Sequence, residues 1–308
     1  MANSLVSDIT HFYEASTRAE NDVTNRRRER SILILNDPQH AFFSDPVYGD
    51  RWTTLLTGLR SFIQEILVLR GLPTEYKRFQ LDPRGGLSNH FDILILVYTE
   101  DNTVLTIIDF EFKFKSMPQF TNLFDKDSYI QPTLAEFWYD QGWVDRMCEP
   151  YTSLLRFPKP PREDYLKGAN KMMTKSFPDS FFKQFYLFDH SDNEAHSGTL
   201  KARRVDSVHQ GIRAYLEAHG PKFNVEKLCK KLTEDQMGKL YGIWNPDLKA
   251  FKVLEYSKEE MAPTAFLRVK GGNTIVLKAG PSEMHLLLRW KNTLGITTPA
   301  WQISLHRA

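Results

Sequence analysis

Two neighbouring stretches rich in β-branched and aliphatic residues constrain this chain more than any other feature of its sequence. Residues 91–98 and 103–114 consist largely of Ile, Leu, Val, Phe and Thr, and the polar residues 100–102 lie between them. This composition is typical of two β-strands joined by a short turn. A tight turn at Asp101 and Asn102 would pair residues whose numbers sum to 203, so that Asp92 lies opposite Glu111. The sequence therefore predicts a β-hairpin of defined register.

The predicted hairpin is charged at one end of one face only. Successive side chains of a strand point to opposite faces. Five charged residues consequently share one side: Asp92, Asp109, Glu111, Lys113 and Lys115. The other side carries only apolar residues: Ile93, Ile95, Val97, Ile108, Phe110, Phe112 and Phe114. Towards the turn the charged side also becomes apolar, with Leu94, Leu96, Leu105 and Ile107.

Two interpretations of this charged end compete. Simple alternation usually indicates an amphipathic strand with one solvated face, but such a face stays polar along its whole length. Three carboxylates held close to an apolar sheet repel one another and lose hydration, which is unfavourable unless a cation lies between them. Mg²⁺ prefers carboxylate oxygens, and a neighbouring lysine can orient or deprotonate an attacking water. The pattern therefore favours a divalent-metal site.

The same residues carry a resemblance to a known family. Asp92, an eighteen-residue gap and Glu111-Phe112-Lys113 resemble the motif of the PD-(D/E)XK nuclease superfamily, the fold of many restriction endonucleases. The resemblance covers about residues 51–213 and implies that Asp92 and Glu111 bind the metal while Lys113 assists the attacking water. Phe91 stands where the family has proline. Asp109 creates a rival carboxylate set with Asp92 and Glu111, so it is a further candidate ligand.

The resemblance implies an α/β fold with a restriction-endonuclease-like αβββαβ core, in which helices flank a mixed central sheet. It also implies Mg²⁺-dependent hydrolysis of double-stranded DNA that leaves 5′-phosphate ends, with Mn²⁺ able to replace Mg²⁺. A chain of 308 residues without a Gly-rich phosphate loop is most similar to a type II restriction endonuclease. Cutting both strands favours a homodimer.

Two other functions stay open at this point. One is a junction-resolving, repair or RNA-directed nuclease of the same superfamily. The other is a non-catalytic nucleic-acid-binding protein whose acidic residues are structural.

Elements around the hairpin complete the predicted fold. Helices are predicted at residues 4–30, 51–70, 131–147, from 163 onwards, 201–218, 223–240 and 282–290. Strands are predicted at residues 76–81, 181–188 and 301–305, with further hairpins at 242–255 and 265–278. Residues 181–188 would be the fourth or fifth strand of the sheet. Glu65 in the second helix is either a metal-orienting residue, as in some members of the superfamily, or a surface residue.

Three segments follow from this order of elements: a helical arm at residues 1–45, a nuclease core at 46–240 and a small C-terminal α+β region at 241–308. The last region would read the substrate or mediate dimerisation. Its alternative role is a stabilising extension of the core sheet.

The charge distribution points to a polyanionic partner. Net charge is only +2, but residues 1–151 hold 15 basic and 22 acidic side chains, whereas residues 264–308 hold 6 basic and 1 acidic. A basic tail beside an acidic half is compatible with nucleic-acid binding. The candidate DNA-binding residues are Lys201, Arg203, Arg204, Arg268 and Lys270.

The cysteine content and the hydropathy of the sequence indicate the cellular compartment in which we expect the protein. Only Cys148 and Cys229 are present, too few and too isolated for a disulfide framework or a zinc site. The sequence shows neither the apolar core of a signal peptide nor a stretch able to span a bilayer. We therefore expect an intracellular protein without a membrane partner.

Overall fold

The computed structural model describes residues 5–15, 21–84, 91–115, 122–124, 127, 129–169, 180–190, 199–290, 295–296 and 298–307. The chain divides into two compact units, Met1–Pro118 with Asp235–Ser257, and Gln119–Glu234 with Lys258–Ala308. These units differ in extent from the three segments predicted from the sequence. A bilayer-spanning helix is not found in the part of the chain that the structure describes.

The helices and strands have the following bounds in chain order. The α-helices are α1 (Asn21–Ile32), α2 (Gly49–Leu69), α3 (Leu134–Asp140), α4 (Trp143–Cys148), α5 (Arg162–Ala169), α6 (Phe181–His190), α7 (Thr199–His219) and α8 (Val225–Gln236). The strands are β1 (Arg78–Pro83), β2 (Ile93–Tyr98), β3 (Val104–Phe114), β4 (Asn122–Phe124), β5 (Lys239–Asn245), β6 (Ala250–Leu254), β7 (Ala265–Lys270), β8 (Thr274–Ala279), β9 (Ser282–Trp290) and β10 (Pro299–His306). Short 3₁₀ segments occupy Ser7–Phe12, Leu33–Asn36, Ala41–Ser44, Glu149–Tyr151 and Gly220–Lys222.

A mixed five-stranded sheet in the order β1-β2-β3-β5-β6 organises the first unit. Strands β1 to β3 pair antiparallel, β5 runs parallel to β3, and β6 is antiparallel to β5. The predicted hairpin and its register are confirmed, because Ile93 lies opposite Phe110 and Leu96 lies opposite Ile107. The register shifts only next to the turn, between Val97 and Tyr98. The α/β class with a mixed sheet and helices is therefore correct.

The apolar face of the hairpin forms the core of the first unit. Ile95, Val97, Ile108 and Phe110 are completely buried there. Helix α2 covers this face, and Phe62 packs edge-to-face on Phe110 with ring centroids 5.1 Å apart. Burying each such side chain contributes about 1.5–3 kcal/mol. The opposite face of the same strands is left to present the charged residues.

A second five-stranded sheet, antiparallel throughout, organises the second unit in the order β4-β10-β9-β8-β7. Aromatic residues form much of the core of this unit. The Trp138 ring lies 5.5 Å from the Trp143 ring and 5.1 Å from the Trp290 ring. Gly211 allows α7 to pass close to them, since an added Cβ would lie only 2.5 Å from Trp138.

Two secondary-structure predictions are wrong because an apolar run fits more than one period. Residues 181–188, predicted as a strand, belong to α6, in which Phe181, Phe182 and Phe185 lie buried at helical spacing. Residues 282–290, predicted as a helix, form β9 instead. Four alternating residues of β9 are buried, which is the two-residue period of a strand: Met284, Leu286, Leu288 and Trp290.

Three further elements differ in extent or in place. Residues 4–30 do not form one helix, since Ser7–Phe12 is a separate 3₁₀ segment before α1. The helix predicted at 131–147 is divided at Gly142, whose φ of 69° is left-handed. The hairpin predicted at 242–255 does form, but as β5 and β6 it completes the core sheet and does not join the C-terminal region. The hairpin at 265–278 and the strand at 301–305 are confirmed as β7–β8 and β10.

Candidate functional site

The hairpin register brings Asp92, Glu111 and Lys113 together. Lys113 Nζ lies 2.6 Å from Glu111 Oε1, and the two side chains are 27% and 12% exposed. Asp92 Oδ2 accepts a hydrogen bond of 3.1 Å from the backbone N–H of Phe112, the residue between Glu111 and Lys113. This bond joins the residue that precedes β2 to β3 and fixes the Asp92 carboxylate beside the other two side chains.

A second lysine, which the sequence analysis did not identify, contacts Glu111 from the neighbouring strand. Strand β5 runs parallel to β3, and its register places Lys239 beside Asp109 and Tyr241 beside Glu111. Lys239 Nζ lies 2.9 Å from Glu111 Oε2 and is only 6% exposed. Each oxygen of Glu111 therefore contacts a different ammonium group.

Helix α1 supplies a third carboxylate. Its Arg28 guanidinium lies 3.6 Å over the Phe114 ring, which fixes the helix beside β3. The next residue, half-buried Glu29, has its pKa raised to about 7 by burial and then by the negative charge of Asp92. Glu65, in contrast, is exposed on α2, whose buried side packs on the opposite face of the sheet. Its position agrees with the surface alternative.

We call the five charged side chains at this site the carboxylate–lysine cluster: Glu29, Asp92, Glu111, Lys113 and Lys239. Burial, and then the charge of Glu111, raise the pKa of Asp92 to about 6, while Lys113 and the Phe112 N–H lower it. Burial lowers the pKa of Lys113, but the charges of Glu111 and Asp92 outweigh burial, so that pKa is raised overall. Within the cluster three carboxylates face two ammonium groups, an excess of one negative charge when all five groups are ionised, and exposed Arg26 is a further cation that lowers the pKa of Glu29.

Asp109, the other candidate ligand, has a different charged neighbour. Burial raises its pKa, and the guanidinium of Arg70 lowers it. Arg70 follows α2 and donates to Thr106 Oγ1 and to the Ile107 carbonyl, both at 2.7 Å. Asp109 thus lies on the same strand face as Glu111, but Arg70 is the charge that acts on it. Its role as a metal ligand stays a prediction.

The carboxylates of the cluster are of the type that Mg²⁺ prefers, and its binding here stays a prediction. Within the described ranges no three His, Cys, Asp or Glu side chains are arranged to hold one metal ion. Mg²⁺, however, is usually held by one or two carboxylates, with waters and substrate phosphate as the other ligands. Asp92 and Glu111 meet this requirement. Each carboxylate oxygen has two lone pairs, so the lysine contacts leave an acceptor site at each Glu111 oxygen.

The predicted DNA-binding residues differ in accessibility. Arg204 of α7 is 2% exposed and lies 3.4 Å from the Tyr151 hydroxyl, so its guanidinium does not face solvent. Arg268 makes a two-pronged ion pair with Glu283, at 2.8 and 2.9 Å. Lys270 is exposed at the end of β7. The side chains of Lys201 and Arg203 lie outside the described residues.

The carboxylate–lysine cluster has to be interpreted from its own geometry. The chain matches no family model, and no curated protein matches it significantly.

The dependence of the free energy of unfolding on pH tests the raised pKa of Asp92. The carboxyl group titrates near 3.8 in an unfolded chain and near 6 in the folded protein. Between these values the folded state holds more protons than the unfolded state, so the free energy of unfolding falls as pH rises from about 4 to about 6. We expect Asp92→Asn to be more stable than wild type by about 1–2 kcal/mol at pH 8, because a pKa raised from 3.8 to about 6 corresponds to at most about 3 kcal/mol.

Urea unfolding at pH 4 and at pH 8 measures this difference, which should disappear at the lower pH. Asp101→Asn is the matched control, because hydrogen bonds from Thr99 and Thr103 lower the pKa of this exposed carboxyl group, so its removal should not stabilise the protein at pH 8. An Asp92→Asn variant no more stable than wild type at pH 8 would show that Asp92 is fully compensated in the folded protein.

Proposed function

We propose that the first unit is a Mg²⁺-dependent nuclease that hydrolyses phosphodiester bonds in double-stranded DNA. The observation that carries this proposal is the 2.6 Å contact of Lys113 with Glu111, beside an Asp92 carboxylate held by the Phe112 N–H. The chain order also supports a restriction-endonuclease-like core. Helix α2 precedes the antiparallel strands β1 to β3, and the parallel strand β5 joins them later in the chain; α8, which directly precedes β5, belongs largely to the second unit.

The residues of the cluster would have different roles in the reaction. Asp92 and Glu111 would hold the ion, and bound Mg²⁺ supplies polarisation of the phosphate and a lower pKa of the bound water. Lys113 is the more exposed of the two lysines, so it is the one that substrate can reach. Its raised pKa keeps it protonated at neutral pH, so it positions the attacking water and neutralises charge on the phosphate. Lys239 is too buried for that role and orients Glu111.

The excess of carboxylates favours a site over a purely structural ion-pair network. Burying charge is unfavourable unless it is paired, and a network that serves only stability gains nothing from an unpaired carboxylate. A divalent cation removes the excess in this cluster. Among nucleases with such a core, a type II restriction-like enzyme that leaves 5′-phosphate ends is the assignment we favour. A homodimer would place one cluster on each strand of a palindromic site.

Plasmid cleavage tests the proposal directly. The full-length protein is incubated with supercoiled plasmid in the presence of Mg²⁺, of Mn²⁺ or of EDTA, and the cut ends are sequenced and tested for 5′-phosphate. We expect linear DNA with either metal and none with EDTA or with Asp92→Asn. Parallel reactions with branched DNA and with RNA distinguish the related nucleases. Plasmid that is bound but never cut would favour a non-catalytic nucleic-acid-binding protein.

A further inference from the structure

A row of side chains leads from the carboxylate–lysine cluster across the sheet to a small pocket. Lys113 lies beside Ile243 of β5, and Ile243 lies opposite Lys252 of β6. Residues directly opposed on neighbouring strands point to the same face, so Lys252 shares the face that carries Glu111. Lys252 is exposed, and β6 is the last strand of this sheet.

The pocket has a volume of about 230 Å³ and lies within the first unit. Its ionisable lining residues are both lysines, Lys115 and Lys252, and its other members include Asn245, Ile243 and Leu248. Asn245 Oδ1 accepts the backbone N–H groups of Asp247 and Leu248, at 2.9 and 3.2 Å. The oxygen of this amide is therefore engaged, which leaves its NH₂ group as a donor. Two lysines and an amide donor line the pocket beside apolar residues, and ammonium and amide N–H groups are donors that an anion can accept from.

The ion pair of Lys115 is weak enough to be exchanged for a ligand. Lys115 Nζ lies 3.5 Å from Asp247 Oδ2, and the two side chains are 42% and 80% exposed. Exposed pairs of this kind contribute little to stability, because solvent screens the two charges. A phosphate, which accepts hydrogen bonds from several donors at once, can replace the single Asp247 carboxylate at little cost.

The position of the pocket relates it to the proposed scissile phosphate. Lys115 lies directly after the end of β3 and two residues beyond Lys113, about 6.6 Å in an extended chain, and Lys252 lies two strands away, about 10 Å across the sheet. Both distances lie within the reach of long lysine side chains that contact neighbouring phosphates of one nucleic-acid strand. A phosphate at Lys113 would thus place its neighbour over the pocket.

We propose that this pocket is a subsite for the phosphate adjacent to the one that is cleaved. The substrate is then a polynucleotide chain, and a small phosphodiester would leave the subsite empty. This inference rests on the proposed function for the position of the scissile phosphate. Binding of a nucleic-acid chain at the pocket is measurable without cleavage.

The first test measures binding in an Asp92→Asn background with a duplex oligonucleotide, over a series of salt concentrations. Replacing both Lys115 and Lys252 by Gln should lower affinity roughly threefold per lysine and reduce the slope of log K against log salt by about one per lysine. Lys77→Gln is the control, because it removes an exposed lysine at the opposite edge of the same sheet. Equal affinity and slope in the double variant, or an equal loss in the control, would overturn the subsite.

The second test compares two substrates in the presence of Mg²⁺. The double variant should lose more in kcat/KM for the oligonucleotide than for bis(p-nitrophenyl) phosphate, by roughly threefold per lysine. Equal losses in kcat/KM for both substrates would mean that the lysines do not act through an adjacent phosphate, which would contradict the subsite. If wild-type protein cleaves neither substrate, the proposed function fails. In that case the salt-dependent loss of binding still tests whether the pocket binds a phosphate of the nucleic acid.

Discussion

Replacement of Lys113 by Met should lower the rate of DNA cleavage roughly 10²–10⁴-fold, the range for loss of a positioned catalytic group. Methionine keeps most of the length of the side chain and removes its charge, so the change reports on the ammonium group. DNA affinity should fall only about threefold, since one phosphate contact is lost among several. Single-turnover cleavage with enzyme in excess separates the chemical step from binding.

Lys113→Met should lower the stability of the protein, as Lys239→Met should, but it should not unfold it, because Glu111 keeps its contact with Lys239. Lys113→Arg retains a positive charge and should recover part of the rate, while Lys77→Met serves as a distant control. Urea unfolding of all three variants excludes trivial loss of structure. Undiminished cleavage by a folded Lys113→Met protein would place the chemistry elsewhere in the chain.

The hairpin was predictable because its information is local. A polar turn flanked by apolar strands sets the register, and the two-residue period then assigns every side chain to a face. Asp92, Glu111 and Lys113 follow from that register alone. The stop of α2 at Gly71, which has a φ of 64°, is another local signal that the structure bears out.

The rest of the cluster depends on contacts between distant parts of the chain. Lys239 reaches Glu111 only because β5 pairs in parallel with β3 after a long insertion, and a lysine in an apolar strand carries no signal of its own. Glu29 belongs to a segment that was predicted to be helical, but the sequence does not tell which strand the helix contacts. The Arg28–Phe114 contact determines it.

The misassigned elements have a different cause. Phe181 and Phe185 of α6 are four residues apart, a spacing that fits both periods, and Ser282 resembles a helix cap although the residues after it alternate. Burial against a tertiary neighbour selects between such alternatives. The first of these errors also placed the fourth or fifth strand of the sheet at residues 181–188, whereas β5 and β6 complete that sheet.

Lys239→Met should be the most destabilising substitution in the carboxylate–lysine cluster. Removing one partner of a buried ion pair costs about 3–5 kcal/mol when the other is left alone. Glu111 retains Lys113 at 2.6 Å, so we expect a loss of about 2–3 kcal/mol at pH 8. Urea unfolding measures it, and the double variant with Glu111→Gln, which removes the stranded charge, should recover a large part of the loss.

The pH dependence of this loss distinguishes charge from packing. At pH 8 Asp92 and Glu29, with pKa values of about 6 and about 7, are both ionised, and only Lys113 remains to balance three carboxylates. At pH 5 these two groups are protonated, so the penalty of the substitution should shrink. A loss of equal size at both pH values would mean that Lys239 acts through packing and not through its charge.

Mg²⁺ extends the same argument to the proposed metal site. A ligand at one hundred times its dissociation constant adds about 2.7 kcal/mol to the free energy of unfolding. Mg²⁺ should therefore stabilise wild-type protein at pH 8, and it should stabilise Lys239→Met more strongly because the ion replaces the missing positive charge beside Glu111. Asp92→Asn lacks one of the two ligands and should gain much less. If Mg²⁺ stabilises none of the three proteins, the carboxylates of the cluster do not bind this ion.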